Sequence, residues 1–137
     1  MSVMKSPKHV KTCWVSGSQI TEKPWGEERI WHALASVKGK ILYIKEGHRN
    51  SLKINRLKEE CLFVLKGKIE VEFGSERSFE DPIMHPFKTA ELTHGELLNV
   101  QSMCPYRIRA LTDAQVIEIG HGPDSDVIRI EDDYGRK

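Results

Sequence analysis

The chain has 137 residues, a hydrophobic fraction of 39% and a charged fraction of 30%. That length suits one domain able to bury about two thirds of its unfolded surface, and the composition excludes a disordered tail or a fibre. Lys and Arg number 21 against 20 Asp and Glu, a formal charge of +1, so no basic field is available for nucleic acid and no acid excess for a basic partner.

In chain order, residues 1–20 carry Lys5, Lys8 and Lys11 and no carboxylate. They read as an N-terminal arm, with Cys13-Trp14-Val15 a candidate added edge strand, ahead of a domain over 21–137. No apolar h-region follows the lysines, so no secretory leader is expected. Lys40–Lys45 reads as a buried strand, and its Ile41–Ile44 core is among the longest apolar runs. A membrane helix needs roughly 20 such residues, so none is expected. Cys61–Leu65 is a similar strand, closed by the turn Lys66-Gly67-Lys68. Lys68–Phe73 alternates, with Ile69, Val71 and Phe73 on one face and Lys68, Glu70 and Glu72 on the other. Ser75–Thr89, with Pro82 and Pro86, reads as a long irregular loop. Leu97–Val100, Ile108–Leu111 and Val116–Ile119 are further short strands. No segment shows a helical stripe. Short strands between Gly-rich turns point to an all-β sandwich or barrel. Three cysteines, Cys13, Cys61 and Cys104, without a C-x-x-C pair point to reduced thiols in a cytoplasmic setting.

Gly47-His48-Arg49-Asn50-Ser51-Leu52-Lys53-Ile54-Asn55 and the residues onward through Glu60 to Gly67 resemble, without a gap, the first cupin motif. The version is that of the C-terminal domain of bifunctional mannose-6-phosphate isomerase/mannose-1-phosphate guanylyltransferase, G-x-x-x-S-L-Q-x-H-x-x-R-x-E-H-W-x-V-x-x-G. Lys23-Pro24-Trp25-Gly26 resembles the entry motif P-W-G of that family. Asp126–Arg136 resembles its ending, D-I-V-R-x-E-D-D-Y-G-R. Together the pieces span roughly residues 23–136. The resemblance implies a single cupin jelly-roll barrel, a homodimer, and a cavity for a small-molecule ligand such as a sugar phosphate.

The family often holds a divalent metal through His/Gln and Glu of this motif and a His of a second motif. Here Lys53 and Asn55 stand at the first two positions, Glu60 is kept, and Tyr106 replaces the second-motif His. A protonated Lys has no lone pair, and Asn and neutral Tyr are poor ligands. The expectation is therefore no metal and no cofactor, with Lys53 pairing Glu60 in the metal's place. Glu60 and Tyr106 are then the candidate catalytic groups, moving protons on a sugar. Lys53, Asn55 and Arg136 are the candidate substrate-binding groups. The competing reading is a decayed cavity whose polar groups satisfy one another, in a non-catalytic carbohydrate-binding or dimerising module.

Other residues also leave two readings open. Arg136 suits phosphate or a salt bridge to Glu131, Asp132 or Asp133. Arg49, Arg107 and Arg109 read as rim anion binders or as solvated side chains. Cys104 reads as a buried thiol, Trp25 as packing for the barrel end, and the six histidines as scattered turn or surface residues.

Overall fold

The computed structural model describes residues 10–32, 36–123 and 126–136. Among the described residues, eleven strands form two antiparallel sheets. The six-stranded sheet holds β1 (Gln19–Lys23), β2 (Gly26–His32), β3 (Val37–Ile44), β10 (Ala114–His121), β5 (Glu59–Lys66) and β8 (Leu97–Val100), in that spatial order. The five-stranded sheet runs β11 (Val127–Glu131), β4 (Leu52–Asn55), β9 (Tyr106–Ala110), β6 (Ile69–Phe73) and β7 (Lys88–Leu92). The two sheets face each other as a jelly-roll barrel.

Alternation decides what enters the barrel. From β3, β5 and β10, buried Leu42, Ile44, Leu62, Val64 and Val116 meet Ile69, Val71, Ile108 and Ala110 of the other sheet. The β5–β6 connection turns at Gly67, whose φ is +86° and where a Cβ would lie 2.3 Å from the Asp113 carbonyl oxygen. Only glycine fits both conditions. The same inward rows change character along their length. Val116 stands opposite Leu42 and Val64, but two residues on Glu118 stands opposite Lys40, and Gly120 opposite Glu60. One half of the interior is therefore apolar and the other charged.

Several expectations need correction. Cys13-Trp14-Val15 pairs with no described strand of this chain, and β1 begins at Gln19, two residues before the expected start of the domain. The expected loop over 75–89 contains helix α1 (Glu76–Glu80), capped by the Ser75 hydroxyl, and its end overlaps β7. Five residues are too few for a helical stripe to show in sequence.

Candidate functional site

The charged half of the interior encloses a cavity of about 270 Å³. Lys53, Asn55, Glu60 and Arg136 all line it. Tyr106 does not; it lies wholly buried behind the cavity wall, donating to Glu60 and lying under the Lys53 ammonium. Glu60 Oε1 accepts hydrogen bonds from Tyr106 Oη and Asn55 Nδ2, both at 2.6 Å. The other oxygen, Oε2, is 3.3 Å from Lys58 Nζ.

The partner of Glu60 is thus Lys58, not Lys53. Lys53 stands opposite Tyr106 across the β4–β9 pair, with its ammonium 5.6 Å from the ring centroid. Lys58 reaches Glu60 because its side chain crosses Gly120, where a Cβ would sit 2.3 Å from Lys58 Cε. Lys58 Nζ also lies 3.4 Å from Glu118 Oε2. From Glu118 the alternation continues through Lys40 at 3.9 Å and Glu28 at 3.7 Å to Lys23 at 3.6 Å. This chain of opposite charges satisfies groups that would each cost several kcal/mol if buried alone.

The two central carboxyls diverge. Burial pushes Glu60 up, but hydrogen bonds from Glu118 and Tyr106 and the charges of Lys53 and Lys58 outweigh it, leaving Glu60 below the ordinary carboxylate value. Burial and the Glu60 charge raise Glu118 to about 7, against the pull of Lys40, Lys53 and Lys58. Burial, with the charges of Glu60 and Glu118, holds the Tyr106 phenol well above its usual value.

Sequence reasoning missed Lys58, Glu118, Lys40 and Glu28. A signal was present for Glu118: it shares strand parity with buried Val116 in an otherwise apolar run. Arg136 pairs with Asp132, Nη2 to Oδ1 at 3.0 Å, while still bordering the cavity. Arg107 is not solvated. It is 2% exposed, donates twice to the Asn50 carbonyl and pairs with Glu131 at 3.2 Å. Arg109 is exposed. Arg49 is occupied by Asp133 through two bonds of 2.6 and 2.8 Å. Cys104 is half-buried against the core, and burial pushes its thiol up, away from a nucleophile's range. Trp25 is buried in the core and borders the cavity.

The donor set does not fit a divalent metal. Among the described residues no three His, Cys, Asp or Glu side chains gather as ligands. Both oxygens of Glu60 are engaged, and a cation beside them would meet the Lys58 ammonium.

No protein-family model and no curated protein matches the sequence. Solved structures do. Oxalate decarboxylase from Bacillus subtilis superposes with a TM-score of 0.70 at 14% identity, over 82% of this chain and 30% of that one. CapF, in complex with the inhibitor 3-isopropenyl-tropolone, gives 0.69 at 17% identity, over 86% of this chain and 36% of that one. KdgF from Halomonas sp. gives 0.65 at 14% identity, over 79% of this chain and 89% of that one. The match therefore spans about a third of the first two proteins and most of the third. The fold is the cupin fold.

Proposed function

We propose that this cupin binds a sugar phosphate or nucleotide sugar inside the barrel and moves a proton on it without a metal. The observation that carries this reading is the paired carboxyls on the cavity wall, Glu60 held low and Glu118 held near 7. Two titratable groups pushed apart by their surroundings are the usual means of separating base from acid at one pH. In this reading Glu60 takes the proton from a sugar carbon next to a carbonyl, and Glu118 protonates the developing oxyanion. Glu60 then gives its proton to the neighbouring carbon while ionised Glu118 takes the proton of the other enediol hydroxyl, which completes an aldose–ketose isomerisation, restores both carboxyls and leaves no net change of redox state. Tyr106, which does not border the cavity, positions Glu60 rather than touching the sugar. The resemblance to the mannose-6-phosphate isomerase cupin supports the choice of ligand class, and the surplus of Lys and Arg on the wall suits an anion.

A second reading, a non-catalytic binding module, is favoured by the mutual satisfaction of Glu60, Asn55, Tyr106 and Lys58. One experiment separates the two. Hexose phosphates and nucleotide sugars are screened by thermal shift in the presence of EDTA, and any ligand that binds is then incubated in D₂O. A catalyst exchanges a carbon-bound hydrogen of the ligand and loses that exchange in Glu60→Gln. A binder shows the thermal shift without exchange. Absence of any thermal shift across the screen refutes both readings.

We also propose a homodimer. Strand β1 leaves one edge of the six-stranded sheet open, with Ile20 50% exposed on it and Trp14 and Val15 50% and 81% exposed just before it. Exposed apolar side chains beside an open edge favour pairing with another chain.

A further inference from the structure

Lys53 and Arg129 stand directly opposite each other on β4 and β11, and both line the cavity. Like charges placed directly opposite in an antiparallel pair are destabilising. The neighbouring rows of the barrel avoid this: Lys40 stands opposite Glu118 on β10, 3.9 Å from its carboxylate. Neither Lys53 nor Arg129 forms an ion pair with any described residue. The Lys53 ammonium rests over the Tyr106 ring instead. Arg129 Nε is buried with no hydrogen-bond partner, the one such side-chain atom among the described residues. A buried donor on a charged group is costly unless an acceptor meets it, and no described residue supplies one.

We infer that Lys53 and Arg129 form an anion subsite in the cavity wall and that it takes a phosphoryl group. An Arg fork offers two parallel donors to such a group, and the Lys ammonium adds a point charge. A phosphoryl dianion would end the repulsion between the two cations and give Nε its missing acceptor. A sugar carboxylate offers the same pair of oxygens with half the charge, so it is the alternative that the test must separate. The remainder of the ligand rests on the reading above, in which its carbons face Glu60. The subsite itself needs only the two cations.

The subsite makes an unusual demand on stability. A residue kept for structure destabilises the protein when removed. Removing Arg129 relieves its repulsion with Lys53 and deprives no described carboxylate of an ion pair, so that ligand-free variant should become no less stable; Lys53 also attracts Glu60 and Glu118, so its removal carries a cost of its own. The test is calorimetric titration and thermal shift of wild type, Arg129→Met and Lys53→Met. The probes are inorganic phosphate, a hexose 6-phosphate, the free hexose and the corresponding hexuronate. The expected result is that phosphate and hexose phosphate bind wild type more tightly than free hexose or hexuronate. Each variant should weaken the two phosphorylated probes at least about 10-fold, and Arg129→Met should leave the ligand-free melting temperature equal or higher. Should Arg129→Met fail to fold, that alone contradicts the claim of relief, and Lys53→Met then decides the binding claim. Variants that bind phosphate as wild type does overturn the subsite. Wild type that prefers the hexuronate overturns its phosphoryl assignment. Wild type that binds hexose and hexose phosphate equally leaves the cavity reading standing and removes the subsite. Wild type that binds none of the probes removes both.

Discussion

Replacing Glu118 by Gln should make the protein more stable at pH 8 and leave it nearly unchanged at pH 5. The carboxyl is raised from 4.5 to about 7 in the folded protein. Between those values the folded state holds a proton that the unfolded chain has released. This contribution to stability is complete below about pH 4.5 and is lost as pH rises through 7. The shift is about 2.5 units, and each unit corresponds to about 1.4 kcal/mol, so the ceiling on the loss is about 3 kcal/mol. The attraction of Lys40, Lys53 and Lys58 for the ionised form already lies within that net shift. Glu60 works in the opposite sense: its carboxyl is lowered, so its contribution is present above its unfolded value and fades in acid. The two windows fall on opposite sides of about pH 4.5, which lets them be read separately. Gln keeps the size and the donor of a protonated Glu118 and cannot ionise. At about 2–4 °C per kcal/mol for a domain of this size, Glu118→Gln should melt roughly 5–10 °C higher than wild type at pH 8. The assay is a melting series from pH 5 to 8.5 on both proteins. A variant less stable than wild type at pH 8 would show Glu118 to be an ordinary ionised partner of Lys58, and the acid–base assignment would fall with it.

Gly120→Ala should cost about 1–3 kcal/mol, the usual penalty for overpacking, because its Cβ would meet Lys58 Cε at 2.3 Å; urea denaturation measures it. Purified protein dialysed against a weak chelator should hold well under one Zn, Fe, Mn or Ni per chain by elemental analysis, since Glu60 is the sole carboxylate or imidazole at the four mapped metal positions. Light scattering at micromolar concentration should give a mass near twice 15.7 kDa, and deletion of residues 1–18 should shift it toward the monomer; a monomer with the arm intact counts against the dimer.

The fold was legible where the strand pattern obeys the common rule of apolar in and polar out. Strand β6 is the clear case, with Ile69 and Val71 fully buried between half-buried Glu70 and Glu72. The rule inverts on β4 and β11. Leu52 and Ile54 are buried on the outer face of the sheet, whereas Lys53 and Asn55 point into the cavity. On β11, Ile128 is 37% exposed and Arg129 faces inward. Taken by periodicity alone, both strands would turn their charges to solvent. The family register is what placed Lys53 and Asn55 inside. Inversion of this kind marks the part of a barrel kept for something other than packing, because a core with no ligand to hold gains by filling these positions with Val and Leu.

The partner of Glu60 was misassigned for a related reason. A register fixes which face a residue occupies, not how far its side chain travels. Lys53 holds the mapped metal position, but Lys58 reaches Glu60 by crossing a glycine on a neighbouring strand. The exchange has a chemical consequence. A divalent metal would bind a sugar carbonyl directly and lower the barrier to proton loss beside it. An ammonium shared between two carboxylates cannot coordinate in that way; it sets their charges. With Lys58 3.3 Å from Glu60 and 3.4 Å from Glu118, both carboxylates draw on one positive charge. Only Glu60 has the additional Tyr106 and Asn55 donors. Against its burial, the hydrogen bond from Glu118, the charges of Lys53 and Lys58 and the Tyr106 donor keep Glu60 ionised, whereas burial and the Glu60 charge leave Glu118 holding its proton near neutrality. Any proton chemistry in this cavity must therefore run on the difference between Glu60 and Glu118, and Tyr106→Phe, which touches neither carbon nor oxygen of a ligand, should narrow that difference and move the pH profile of any exchange activity toward higher pH.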